Sequence, residues 1–141
     1  MTGLRGRILR PSTIPARDRG GNARTIPLVT STIGSTSFLS GITTFGPGAS
    51  IPLHFHNCEE SVFLLEGVAT AEIDGVAYDL EVGDMSFIPT GVPHRFINAS
   101  ATDEMRILWT YGSIDADRTI VATGETRRID EEHRTPNVLR P

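Results

Sequence analysis

The chain contains no lysine; all thirteen of its basic residues are arginine, which excludes Schiff-base and pyridoxal-lysine chemistry. Cysteine is almost as scarce. A single Cys58 cannot close an internal disulfide or supply a thiolate cluster to a metal, and it fits a reducing compartment. Long apolar runs are also missing. The longest, residues 62–65, is far short of the ~20 residues a helix needs to cross a bilayer, so no membrane partner is expected. The arginine-rich start is not followed by the apolar stretch of a signal peptide, and the expected location is cytoplasmic.

What is present suits one ordinary domain: 141 residues, 38% hydrophobic and 21% charged, with enough turn formers (14 Gly, 9 Pro) to make long helices unexpected. Charge is unevenly spread. Residues 1–24 carry six arginines against Asp18, residues 25–112 two against ten acids, and residues 113–141 five against six acids. A basic arm thus precedes an acidic body. The arm lacks aromatics, helical periodicity and a dense cluster, and the acidic body would repel phosphates, so nucleic acid is not an expected partner. The arm could instead lie across a second subunit whose sheet edges are exposed, and a homodimer is expected.

Residues 1–24, interrupted by Pro11, Pro15, Gly20 and Gly21, read as an extended arm without a core-forming pattern. From residue 25 the texture changes to short stretches rich in β-branched and aromatic residues: 26–29, 36–45, 61–65, 69–73, 76–80, 85–88, 94–98 and 105–111. Turn chemistry cuts nearly all of them, and Asp74-Gly75 is the residue pair that a two-residue primed hairpin turn demands. Short strands with no helix between them predict an all-β domain, a barrel or sandwich, over residues 25–112. In the tail, 113–141, residues 119–122 could add an edge strand and 127–134 one or two polar helical turns.

Three of the four histidines, His54, His56 and His94, fall in the strand-rich region. His54-Phe55-His56 places two imidazoles on one face of a strand, because side chains alternate along an extended chain. That arrangement can present two ligands to one metal, or it can be two hydrogen-bonded structural histidines. Glu60, after a short loop, could add a carboxylate, and His94 a further imidazole.

The spacing around these residues goes further. Gly48, His54, His56, Glu60 and Gly67 stand in the frame Gly-x5-His-x-His-x3-Glu-x6-Gly, and Gly83, Pro89, Gly91, His94 and Asn98 in the frame Gly-x5-Pro-x-Gly-x2-His-x3-Asn. This resembles, at every position, the two motifs of the cupin superfamily. The resemblance implies a single-domain antiparallel jelly-roll β-barrel in which His54, His56, Glu60 and His94 bind a divalent metal from the interior. It also implies that the four glycines serve tight or positive-φ turns. Such a set leaves a bound dication near net charge +1 and, in octahedral geometry, about two positions for substrate, water or dioxygen. Nitrogen and oxygen donors suit Fe, Mn, Ni, Co, Cu or Zn, and disfavour Ca and Mg.

Neighbouring residues have a bland reading beside each functional one. Cys58 is a small loop residue before it is a redox thiol, and Glu59 turns away from Glu60 by parity. Asn98 points inward with His94 and Phe96, toward structure or substrate. Tyr111 shares parity with Met105, Ile107 and Trp109 as barrel lining, and its hydroxyl is the candidate catalytic proton donor. Arg106 could anchor a substrate carboxylate or pair with Asp103 or Glu104. Val62, Phe87, Phe96 and Trp109 are expected around the metal. The expected partner is a small molecule that chelates through adjacent oxygens, such as a catechol, hydroxy acid, enol or β-diketone. The first-choice activity is an Fe(II) dioxygenase or related oxidoreductase. The alternatives are a Zn or Mn isomerase, epimerase or lyase on a sugar or hydroxy acid, and a non-catalytic binding module.

Overall fold

The computed structural model describes residues 5–134. Twelve strands run in chain order as β1 (Arg17–Gly20), β2 (Ala23–Val29), β3 (Leu39–Phe45), β4 (His54–His56), β5 (Glu60–Glu66), β6 (Ala69–Ile73), β7 (Val76–Leu80), β8 (Met85–Ile88), β9 (His94–Asn98), β10 (Met105–Tyr111), β11 (Asp117–Ile120) and β12 (Thr126–Arg128), before a short helix α1 (Ile129–Arg134). They form two six-stranded sheets, ordered β1-β2-β3-β10-β5-β8 and β12-β11-β4-β9-β6-β7. All pairings among them are antiparallel. This is the two-sheet jelly roll, with the sheets facing each other rather than joined into a closed hydrogen-bonded barrel.

Parity decides what fills the space between the sheets. Along β10 the buried residues are Met105, Ile107, Trp109 and Tyr111; along β5 they are Glu60, Val62 and Leu64; along β9 they are His94, Phe96 and Asn98. The apolar members form one core cluster; Glu60 and His94 meet at one end of it, and Asn98 lies at the other end of β9. The β6–β7 hairpin closes through Asp74 (φ 52°) and Gly75 (φ 81°), and positive φ at both central residues is the type I′ turn that matches strand twist. Gly67 (φ 90°) is required twice over, since a Cβ there would also lie 2.6 Å from the Glu104 carbonyl oxygen. Gly48, Gly83 and Gly91 have positive φ as well, as the resemblance implies.

The structure departs from the sequence-based expectation at the flanks. Residues 17–24, expected in a free arm, form β1 and the start of β2. A Gly20-Gly21-Asn22 turn with positive φ at all three residues folds β1 back onto β2 within the same chain. Residues 36–38 stay outside β3 because the Ser35 hydroxyl donates to the Phe38 carbonyl and accepts from its amide, tying a turn there. The tail strand spans Asp117–Ile120 and lies between β12 and β4, not at an edge. The first residues of the expected helical turns belong to β12, which is the edge. Among the described residues no helix is long and apolar enough to cross a membrane.

Candidate metal centre

Both sheets contribute to one cluster. In one sheet β4 sits between β11 and β9, with His54 opposite His94 and His56 opposite Arg118. In the other, Glu60 on β5 pairs with Tyr111 on β10. Facing inward across the gap, all five of His54, His56, His94, Glu60 and Tyr111 are buried.

The three imidazoles offer ligand atoms within 4.8 Å of one another. Each ring is oriented from behind. Nδ1 of His54 donates to the Pro52 carbonyl (2.7 Å), that of His56 to the Asp117 carbonyl (2.8 Å) and that of His94 to the Val92 carbonyl (2.8 Å). A carbonyl can only accept, so the proton on Nδ1 is fixed by the backbone, and a ring carrying that proton alone turns its Nε2 lone pair to the interior. Glu60 Oε1 lies 3.0 Å from His94 Nε2 and 3.3 Å from His56 Nε2. With the rings in that state, lone pairs and a carboxylate converge with no N–H between them, and His56 Nε2 has no hydrogen-bond partner in its buried position. A cation relieves that arrangement, and the donor set fits a transition metal.

Electrostatics point the same way. Burial alone would raise the Glu60 pKa; without a cation, a proton donated to the carboxylate from His56 or His94 Nε2 outweighs it and brings the carboxyl down to about 2, and a bound cation would take that proton's place. Burial, reinforced by Arg118, His94 and His56, holds His54 well below its usual 6.5, so this ring is neutral and ligand-ready. Tyr111, its ring 4.6 Å from that of His56, is pushed upward by burial and by Glu60 and keeps its proton. Burial likewise raises Cys58, which stays a thiol packed against the core.

His54 makes a testable contribution to acid sensitivity. Its folded-state pKa is depressed, so below 6.5 the unfolded chain binds a proton that the folded chain refuses, and stability falls as pH falls. In chelator-treated protein the Tm should drop between about pH 7 and about pH 5, with a shallower slope in His54→Gln. Equal slopes in the two proteins would remove His54 as the cause.

An inner cavity of about 30 Å³ adjoins the cluster, lined among others by Phe45, Phe96, Ile107 and Trp109. Trp109 is fixed there by donating from Nε1 to Thr43 Oγ1 at 2.9 Å. Val62, expected around the metal, is buried in the core but does not line this cavity, and Phe87 is 60% exposed: β8 turns Ser86 and Ile88 inward and Phe87 out. Asn98 is structural, as described below. Glu59 is exposed, and Arg106 lies 3.8 Å from Glu66 at the surface, away from the cavity.

Two residues that sequence reasoning missed line the cavity as well. Arg19 on β1 and Arg118 on β11 reach it from the flanks, and Glu132 on α1 meets both. The only available signal for Arg118 was its place beside the β-branched stretch at 119–122; for Arg19 there was none.

Residues 41–111 match the Cupin domain family, and the chain belongs to it. Protein SchB of Streptomyces halstedii is 33% identical over 133 residues, 93% of this chain and 94% of that protein. The protein of Streptomyces cyaneus named polyketide synthase CurC is 34% identical over 111 residues, 77% of this chain and 71% of its own. Among solved structures, the polyketide cyclase RemF from Streptomyces resistomycificus superposes with a TM-score of 0.71 at 21% identity, covering 94% of this chain and 96% of that one, a likeness of fold.

Proposed function

We propose that this protein is a metal-dependent enzyme that binds a β-dicarbonyl segment of a polyketide-type chain and promotes carbon–carbon ring closure. The observation that carries the metal dependence is the convergence of three back-bonded imidazoles, with the Glu60 carboxylate 3.0 Å from one of them; in this reading Glu60 is the fourth ligand. The names of CurC and RemF, and the length over which both align, support the substrate class.

His54, His56, His94 and Glu60 would hold a dication, which would supply Lewis acidity toward the oxygens of a β-dicarbonyl. The chain's own residues do the rest. Phe96, Ile107 and Trp109 form a dry wall, and Tyr111 holds a proton at its hydroxyl, beside Arg118, from which it can hydrogen-bond an oxygen that gains negative charge. Ring closure by aldol addition trades a carbon-bound proton for an oxygen-bound one and consumes no oxidant. This reading is non-oxidative, unlike the Fe(II) dioxygenase expected from the sequence, and differs in reaction and substrate from the isomerase, epimerase or lyase alternative.

The test is reconstitution of chelator-treated protein with Zn(II), Mn(II) or Fe(II), under argon and in air, with heptane-2,4,6-trione as substrate. Faster cyclodehydration under argon, slowed in Tyr111→Phe, supports the proposal. Oxygen uptake confined to the Fe(II) form would replace it with the dioxygenase. Tight binding without turnover by any form would leave a binding module.

A further inference from the structure

Beyond the inner cavity lies an outer one of about 250 Å³, and the two share Ile51, Arg19 and Arg118 as a common wall. The charged residues lining the outer cavity are three arginines, Arg19, Arg118 and Arg127, against two glutamates, Glu125 and Glu132. Arg127 is answered by Glu125 at 3.1 Å. That leaves two guanidinium groups sharing the Glu132 carboxylate. Nη1 of Arg118 donates to both of its oxygens, at 2.7 and 2.6 Å, while Arg19 Nη2 stands 3.8 Å away and Arg19 Nη1 turns to Thr25 Oγ1.

The Arg118 side chain is only 6% exposed, and its Nε is buried without a hydrogen-bond partner. An arginine presents Nε and Nη as a fork that fits a carboxylate through two parallel bonds. Glu132 is held through Nη1, on the edge away from Nε, and Nε on the fork edge is left unused. Burial, reinforced by the nearby Arg118, brings the Arg19 pKa down to about 10, whereas Tyr111 and Glu132 outweigh burial at Arg118 and raise it. Glu132 itself is 22% exposed, on a helix of six residues whose buried anchor is Ile129 at its other end.

We propose that Arg19 and Arg118 form a carboxylate-recognition subsite at the mouth of the histidine centre, in which Glu132 stands in for the carboxylate of an incoming ligand and is displaced by it. The ligand class is a small organic carboxylate whose apolar body occupies the outer cavity. The subsite uses no metal; only the identity of the molecule that carries the carboxylate rests on the polyketide reading. A purely structural ion pair would behave oppositely, since removing Glu132 would then only loosen the two arginines.

The experiment uses the full chain, its single tryptophan lining the inner cavity as reporter, and benzoate as probe with benzamide as the neutral control. Fluorescence titrations are run at fixed ionic strength on both chelator-treated and Zn(II)-loaded protein. Benzoate should bind and benzamide should not. Glu132→Gln should tighten benzoate about tenfold by removing the internal competitor, and Arg118→Gln should weaken it by at least as much, with Arg118→Lys between because it keeps charge without the fork. Should Arg118→Gln fail to fold, Arg19→Gln and Glu132→Gln decide the matter, the first weakening and the second tightening. Equal binding of benzamide, or unchanged or weaker benzoate binding in Glu132→Gln, overturns the subsite. Arginine-dependent binding by a protein that takes up no metal would refute the metal reading and leave the subsite standing; metal uptake without benzoate binding would do the reverse.

Discussion

Protein purified without chelator should carry about one transition-metal ion per chain, and a variant combining His54→Ala with His56→Ala should carry none. The effect is expected to be this large because the two rings supply half of the donor set. Neither lost nitrogen can be replaced by a neighbour, since the rest of the wall offers only apolar side chains, the Thr43 and Tyr111 hydroxyls and the cationic Arg19 and Arg118. Metal loss should also be visible as stability. A ligand present at about a thousand times its Kd stabilises the folded state by about 4 kcal/mol, so chelation should lower the Tm of the wild-type chain and leave that of the double variant unmoved. Elemental analysis with paired calorimetry checks both halves. Undiminished metal in the double variant would sink the assignment. The metal recovered after overexpression follows affinity and supply, and it can differ from the one used in the cell.

The second large effect is expected at Asn98. Its amide nitrogen lies 3.1 Å from the Phe45 carbonyl oxygen, 3.0 Å from that of Gly46 and 2.8 Å from that of Asp103, and its Oδ1 accepts from the Ser100 amide at 2.9 Å. One fully buried side chain thereby ties the end of β3 to the loop before β10. Truncation to alanine strands buried backbone acceptors that water cannot reach, and should cost about 3 kcal/mol. Asn98→Asp should be no better, because it sets a carboxylate against three carbonyl oxygens. Urea unfolding monitored by Trp109 fluorescence gives the measurement. A midpoint for Asn98→Ala equal to that of the wild type would mean that the clamp is not what holds this corner.

How far the sequence could be read depended on the range of the interaction. Asp74-Gly75 announced its hairpin because the φ requirement is local, and the inward faces of β5, β9 and β10 followed from parity. The motif frames brought His54, His56, Glu60 and His94 together before any coordinates did. Parity misled only where it was not applied: Phe87 was counted near the metal for its apolar character, although its strand neighbours Ser86 and Ile88 face in. β1 escaped because its register with β2 is held by backbone hydrogen bonds, which demand no apolar pattern from Arg17–Gly20. Arg118 escaped for a related reason, as an arginine becomes an interior residue only when a distant strand and helix supply its partners. Reading charge along the chain counted Arg19 in the basic arm and Arg118 in the tail, whereas folding turns both onto the cavity.

The mouth of the cavity is built from β1, β11 and α1, while every proposed metal ligand comes from the central strands. On the proposed reading, reactivity and choice of substrate are therefore encoded in separate stretches of the gene. Mutations in the flanking stretches can redraw what enters without disturbing the inner chemistry, and a fusion partner or trimmed flank that displaces Arg19 or Glu132 would alter selectivity in a protein that still loads its metal. A lineage of such proteins could diversify its substrates by rewriting its flanks alone.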